Sequence, residues 1–222
     1  MFLKLIRIVL LVFILVSISN AQIEVEWSNS FGDTLVSKFT SLFQTSDSGF
    51  VLAGSQYISS IDRSDYLLIK VDQNGREDWS YHYGGNSSKS CYSAIQTSDG
   101  GYFLGGTTFY GSASSIYVVR TDSEGELIWY KRFGYALDYD IYKTCYSVAE
   151  NSDGGFALAG TYQAADEDTP GLALYILDSD GDMLWYKSYR TGEIDHCTSI
   201  MPTQDGGYAI AGDVRTISNR NL

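Results

Sequence analysis

The chain has 222 residues, of which 44% are hydrophobic and 14% aromatic, with 22 glycines that show no triplet period and only 2 prolines. This composition supports a packed core and excludes a disordered or collagen-like chain. With 15 Lys and Arg against 27 Asp and Glu, the formal net charge is −12. A chain this acidic repels phosphate backbones, so nucleic acid is excluded as the expected partner.

The N-terminal segment, residues 1–21, has the features of a signal peptide. Lys4 and Arg7 supply positive charge, and an apolar run over 8–18 is followed by small residues typical of a cleavage site. The run is shorter than the roughly 20 residues that span a bilayer. We therefore expect residues 22–222 to be secreted or displayed at the cell surface, without a transmembrane segment after cleavage. An uncleaved N-terminal anchor is the alternative.

One ten-residue element occurs four times, and its first copy reads T-S-D-S-G-F-V-L-A-G. Its shared glycine recurs at intervals of 52, 54 and 52 residues, and tryptophans recur at a similar interval. Each tryptophan is followed four residues later by Phe or Tyr. Four copies in register indicate one structural unit repeated along the chain. The glycines are Gly49, Gly101, Gly155 and Gly207, and the tryptophans are Trp27, Trp79, Trp129 and Trp185.

Each unit is predicted to form four short antiparallel strands. A tight Asp-Gly-Gly corner follows the first strand, and an Asp-x-x-Gly turn precedes the fourth strand, which contains the tryptophan. No helical period follows the signal peptide. A four-stranded meander repeated about every 52 residues predicts an all-β fold, a partial β-propeller of about 3.5 blades, with a β-solenoid as the alternative. The predicted units within 22–222 are about 39–83, 91–133, 145–189 and 197–222.

Two of these motifs resemble those of known propellers. The Asp-x-x-Gly-x-x-x-Trp element, as in Asp72 to Trp79, resembles the tryptophan-docking motif of quinoprotein propellers, with one residue fewer between Asp and Gly. The T-S-D-G-G-[YF]-x-[LI]-x-G element is similar to the repeats of secreted bacterial propeller-like surface proteins, and the interval is similar to that of kelch blades. The resemblance implies a propeller fold and an extracellular or surface location.

Three cysteines occupy one position of the repeat. Cys91, Cys145 and Cys197 each lie ten residues before the shared glycine, where the first copy has Phe39. A position that accepts Phe is predicted to be buried and apolar, and a free Cys behaves as a small hydrophobic residue. A disulfide between units is the alternative, and it would leave one thiol over.

Residues that recur in every copy are interpreted as structural. The corner aspartates, Asp47, Asp99, Asp153 and Asp205, are predicted to stabilise turns, and the tryptophans to pack between sheets. Residues 178–182 resemble a calcium loop, but glycine stands at position 4 and Tyr189 at position 12, so a turn is predicted there. We therefore predict no metal and no cofactor.

The loops on the other face of the predicted meander differ in every copy. They hold acidic residues with tyrosines between them, which fits either a solvated acidic rim or a face for a carbohydrate or a cationic partner. Residues at this face are the predicted ligand site: Asp138, Asp140, Asp166, Glu167 and Asp168.

No nucleophile elbow, zinc-protease motif or phosphate-binding loop is present in the sequence. This favours a secreted or cell-surface, non-enzymatic binding or adhesion module with a glycan or protein ligand. The alternatives are a carbohydrate-active hydrolase using two carboxylates, or a purely structural spacer domain of a larger surface protein.

The predicted strands do not add up to whole blades. The mature chain is expected to open with a lone fourth strand at 27–32, and the last unit to contain only its first two strands. Unpaired strand edges favour association. We therefore expect either a fragment of a longer protein or a half-ring that pairs with another copy, with self-association through the open edges.

Overall fold

The computed structural model describes residues 27–31, 37–111, 113–134, 140–164, 170–190 and 194–215. The chain divides into two compact units, Met1–Ser30 and Phe31–Leu222. The first unit is described only at 27–30, which have no regular secondary structure, and the signal peptide predicted at 1–21 lies outside the described residues. Among the residues described, no helix is long and apolar enough to cross a membrane.

The all-β prediction is confirmed: the described residues form fourteen antiparallel strands and one 3₁₀ turn, Ser59–Ile61. Sheet A contains β1 to β4, over Ser37–Gln44, Phe50–Ile58, Arg63–Val71 and Glu77–Tyr83. Sheet B contains β5 to β8, over Lys89–Gln96, Tyr102–Tyr110, Ala113–Thr121 and Leu127–Phe133. Sheet C contains β9 to β12, over Asp140–Glu150, Phe156–Ala164, Gly171–Leu177 and Met183–Tyr189. Sheet D contains β13 and β14, over Ile194–Pro202 and Tyr208–Arg215.

Strands adjacent in sequence are adjacent in each sheet, so every sheet is a meander. The first strand of each sheet begins a few residues before its predicted start. The second strand continues beyond its last glycine, and this extension pairs with the earlier residues of the first strand, as Thr108 does with Lys89. The strand predicted at 27–32 was wrong: 27–31 are irregular, and Gly32 lies outside the described residues. A fourth strand needs a third strand to pair with, and sheet D has only β13 and β14 within the described residues.

The corner turns confirm the structural interpretation of the repeated aspartates. Asp99 Oδ1 accepts hydrogen bonds from the Thr97 hydroxyl at 2.7 Å and from the Gly101 amide at 3.1 Å. Between them Gly100 has a φ of +88°, in the left-handed region that glycine adopts at no steric cost. In the other copies the amide of the glycine two residues after the aspartate donates the corresponding bond, to Asp47, Asp153 and Asp205.

The sheets pack face to face with one hydrophobic cluster between each neighbouring pair. Sheet B illustrates how the two-residue period of a strand serves two cores. Tyr102 and Leu104 pack in the cluster shared with sheet A, whereas Phe103 packs in the cluster shared with sheet C. The middle strands β6 and β7 are therefore almost wholly buried.

A β-bulge occurs at the same position in the first strand of all four sheets. The bulged residues are Thr40, Tyr92, Tyr146 and Thr198. Next to each bulge a serine links successive sheets: Ser93 Oγ accepts the Val148 amide at 3.3 Å, and Ser147 Oγ accepts the Ile200 amide at 3.1 Å. Ser41 accepts the Ala94 amide in the same way. The same polar contact therefore joins sheet A to B, B to C and C to D.

The cysteines confirm the buried-thiol prediction. Cys91, Cys145 and Cys197 are all free and buried, one in each of the three inter-sheet clusters. Burial raises the pKa of the Cys91 thiol to about 12 and that of Cys197 to about 11. Thiols this weakly acidic form little of the reactive thiolate, so the position serves packing.

Candidate functional site

The antiparallel order of the strands gives each sheet two distinct ends. One end contains the corner turns and the Asp-x-x-Gly turns, and we call it the repeat end. The other end contains the second-to-third strand connections and the links from one sheet to the next, and we call it the variable end. Because neighbouring strands are antiparallel and consecutive in sequence, these two sets of loops lie at opposite ends of the strands in every sheet.

At the repeat end, Trp79 and Trp129 each pack on the turn of the following sheet. Gly125 has a φ of +82°, and a Cβ added to it would lie 2.8 Å from Trp79 Cζ3. Gly181 stands under Trp129 in the same way, at 2.6 Å from Cη2. Trp185, in contrast, is 45% exposed. The packing role predicted for the tryptophans is therefore confirmed at the A–B and B–C junctions.

Buried cations at the repeat end are bonded directly to corner aspartates. Lys70 Nζ lies 2.8 Å from Asp47 Oδ2, and Arg120 Nη2 lies 2.5 Å from Asp99 Oδ2, although both cations are only 6% exposed. The hydrogen bond from Lys70 holds the pKa of Asp47 well below its usual range. Two pockets, of about 360 and 330 Å³, border these ion pairs and the docked tryptophans. The two pockets are lined by residues at equivalent positions of the repeat, so both pockets result from the way successive sheets pack.

At the variable end of the A–B junction lies a pocket of about 210 Å³ that has a different composition. We call it the cationic pocket. Its wall comprises the link 84–87 between β4 and β5, two cationic residues and three tyrosines. The cationic residues are Lys89 and Arg132, and the tyrosines are Tyr110, Tyr117 and Tyr130.

Lys89 is the buried cation of this pocket. It is 3% exposed, its Nζ donates to the Ser87 carbonyl at 2.8 Å, and it lies 5.1 Å from the Tyr117 ring centroid. Burial lowers the pKa of Lys89; Asp65 opposes this shift, whereas Arg63 and Arg132 add to it. Lys89 therefore lies in the field of two guanidinium groups and one carboxylate.

Arg132, Tyr110 and Tyr130 form the open side of the pocket, and Tyr117 is buried beneath them. The Arg132 guanidinium lies 5.2 Å from the Tyr110 ring centroid and donates to the Tyr110 hydroxyl. The Tyr130 ring packs against Tyr117 at 5.6 Å between centroids. Cation–π contact and hydrogen bonding hold Arg132 at the rim, where a ligand can reach it.

Two buried polar atoms near the pocket have no hydrogen-bond partner within the described residues. They are Asp65 Oδ1 and Arg63 Nε. The Asp65 carboxyl lies directly against Gly84, which lines the pocket and has no room there for a Cβ. Buried polar atoms are nearly always hydrogen-bonded in folded proteins, so the described residues leave the bonding capacity of these two atoms unused.

The structure describes none of the side chains of the five acidic residues that were predicted as a ligand site. Residues Asp138, Asp166, Glu167 and Asp168 lie outside the described residues, and Asp140 begins β9 with a side chain that is not described. Of the tyrosines in the variable loops, Tyr110 lines the cationic pocket.

Sequence reasoning missed Lys89, Arg63 and Arg132 because all three lie in strands. The sequence does carry a signal at Arg132: the residues at the same position of the other sheets are His82 and Ser188, so this position departs from the repeat.

The turn predicted at 178–182 is confirmed. Asp178 Oδ1 accepts the amides of Asp180 at 3.0 Å and Asp182 at 2.8 Å, as Asp72 and Asp122 do in their own turns. Within the described part of the chain, no group of three or more His, Cys, Asp or Glu side chains is placed to hold a metal ion.

In comparison with known proteins, no protein-family model matches the sequence, and no curated protein matches it.

Proposed function

We propose that the chain is a secreted or cell-surface, non-enzymatic binding module whose ligand, a carbohydrate, binds at the variable end of the sheets. One observation supports this most directly. Arg132 and Tyr110 line the cationic pocket and differ from their counterparts in the other sheets, whereas the residues that recur in every sheet form turns or pack between sheets. Binding specificity is usually placed on the connections of a rigid scaffold, and Tyr110 ends β6 next to the connection to β7.

We propose a β-propeller as the scaffold. The tryptophan on the next turn's glycine, the serine beside the bulge and the buried cysteine recur from one junction to the next. A constant relation between successive four-stranded sheets generates the radial stacking of propeller blades. The motifs that resemble secreted bacterial propellers favour the same scaffold.

Carbohydrate is the proposed ligand class because of the chemistry of the pocket wall. Tyr110 and Tyr130 offer apolar ring faces with a polar hydroxyl at the edge, which suits the apolar and hydroxyl-bearing faces of a sugar ring. A small number of polar groups among aromatic side chains is typical of small-ligand sites. The secreted location proposed from residues 1–21 would expose this pocket to extracellular glycans.

We also propose that the chain associates with itself through its outer strands. Exposed apolar side chains cluster on β12, at Met183, Leu184, Trp185 and Tyr186. Within the described residues, β14 pairs only with β13, so one of its edges has no ladder partner there. An apolar face beside an open sheet edge favours association.

A glycan array probed with purified residues 22–222 tests the binding function. We expect binding without turnover, and we expect Tyr110→Ala to weaken it. Tyr186→Ala is the matched control, because it removes an exposed tyrosine ring from β12, away from the pocket. Turnover of a bound glycan would contradict the non-enzymatic proposal and favour the hydrolase. Binding of no glycan at all would contradict it in favour of a spacer domain.

A further inference from the structure

Building on the binding function proposed above, we propose that the cationic pocket takes an acidic sugar, with the carboxylate of the sugar held between Lys89 and Arg132. Tyr110 and Tyr130 would contact the sugar ring, and the link 84–87 would close one side of the site.

The first argument is the balance of charge at the pocket. Although the whole chain has a net charge of −12, the described charged groups that act on Lys89 are two cations, Arg63 and Arg132, and one carboxylate, Asp65. At the repeat end, by contrast, each buried cation has its own aspartate at 2.5–2.8 Å. Burying a charge is costly unless it is paired, so a positive excess around the buried Lys89 favours an anionic ligand.

The second argument is that this combination occurs at one junction only among those described. At the B–C junction, Lys143 takes the position of Lys89 and is also buried. Ser115 stands there in place of Asp65, and Ser188 in place of Arg132. A buried lysine alone is thus a feature of the scaffold, whereas the added guanidinium group and carboxylate are specific to the cationic pocket.

The size and shape of the site favour a carboxylate attached to one sugar unit. At about 210 Å³ the pocket is smaller than the roughly 300–1,000 Å³ typical of drug-sized ligands, so it has room for one small group. A guanidinium group pairs with the two oxygens of a carboxylate through parallel hydrogen bonds, and the Lys89 ammonium adds a point charge. Phosphate offers the same oxygens, and the tyrosine rings favour the sugar.

Isothermal titration calorimetry on residues 22–222 tests the ligand class with three probes. These are a galacturonic acid dimer, the matched neutral galactose dimer and inorganic phosphate. We expect the acidic dimer to bind at least tenfold more tightly than either of the others. Equal binding of the two dimers would overturn the requirement for a carboxylate, and equal binding of phosphate would overturn the requirement for a sugar.

Two variants with opposite expected effects test the site. Arg132→Gln is expected to weaken binding of the acidic dimer at least tenfold, and Asp65→Asn to strengthen it several-fold by removing the competing carboxylate. Arg76→Gln, which makes the same change in net charge beside a turn at the repeat end, is expected to leave binding unchanged. Equal losses in Arg132→Gln and Arg76→Gln would overturn the assignment, because they would show only a response to net charge.

The failure of this proposal is distinguishable from failure of the binding function. Array binding of neutral glycans that Arg132→Gln leaves intact would overturn the acidic-sugar site while the binding function stands. Binding of phosphate that depends on Arg132, together with no glycan binding, would overturn the sugar ligand and the carbohydrate function together.

Discussion

Buried cations have different bonding partners at the two ends of sheets A and B. At the repeat end, Lys70 and Arg120 are bonded to aspartates of the corner turns. At the variable end, Lys89 donates to a backbone carbonyl and lies near two further cationic side chains. Corner aspartates pair with the buried cations of the repeat end, whereas the described charged groups that act on Lys89 are two cations and one carboxylate. The recurring residues therefore assemble the sheets, and under the proposed function the departures from the repeat form the recognition surface.

The largest effect is expected where a tryptophan joins two sheets. Trp129→Ala should lower the free energy of unfolding by about 3 kcal/mol, at the low end of the range for a large core aromatic because this side chain is only partly buried. Trp185→Ala, at the equivalent but exposed position, should lower it by less than about 1 kcal/mol. Denaturant titration of both variants measures the difference, and equal losses would break the assignment of Trp129 to inter-sheet packing.

A smaller loss of stability is expected when the glycine on which a tryptophan packs is replaced. Gly125→Ala should cost about 1–3 kcal/mol, because Ala disfavours a positive φ and its Cβ would press on Trp79. Gly154→Ala is the matched control, since Gly154 also has a φ of +82° but nothing lies within 4 Å of the added Cβ. Thermal melting of the two variants should show Gly125→Ala to be the less stable. The reverse order would contradict tryptophan docking.

Acid should act mainly on the repeat end. The Thr97 hydroxyl, the Gly101 amide and Arg120 lower the pKa of Asp99. A lowered folded-state pKa gives stability that is present above the unfolded value of about 3.9 and is lost as pH falls below it. Asp99→Asn should therefore reduce stability at pH 7 and flatten the acid limb of a stability–pH curve. Asp153→Asn is the control, because Ile176 stands there in place of Arg120; an equal change in the curve would contradict the role of the ion pair.

The smallest effect on stability is expected at the exposed face of β12. Trp185→Lys should change the free energy of unfolding by roughly 0.5 kcal/mol or less, yet it should reduce self-association of residues 22–222. Leu127→Lys, an exposed apolar residue on β8, is the control. Size-exclusion chromatography with light scattering reports both. A parent chain that is a monodisperse monomer with one cooperative unfolding transition would refute the self-association proposal.

The features predicted correctly from sequence are those that occur in several copies. The Asp-Gly-Gly corner and the Asp-x-x-Gly turn recur, and local turn chemistry is enough to determine them. The cysteine position also recurs, and Phe39 at that position in the first copy indicates that it is buried and apolar. The strand at 27–32 was predicted by analogy with Trp79, Trp129 and Trp185. That prediction was wrong because a strand depends on a partner that local sequence does not supply.

The cationic pocket was not predictable from sequence for a different physical reason. Lys89 lies on β5, Tyr110 ends β6 and Arg132 lies on β8, and their proximity results from how sheet B folds and packs on sheet A. Charged strand residues are usually solvated, so each residue alone was unremarkable. The clustering of acidic residues in the loops directed attention to Asp138, Asp140 and 166–168, whose side chains are not described.

Hydrogen–deuterium exchange with and without the galacturonic acid dimer shows at which end of the sheets the ligand binds. We expect the dimer to slow exchange in the link 84–87 and around Tyr110, and to leave the corner turns at 98–101 and 152–155 unchanged. Protection of the corner turns with no change at 84–87 would contradict this expectation, because it would place recognition on the repeated residues.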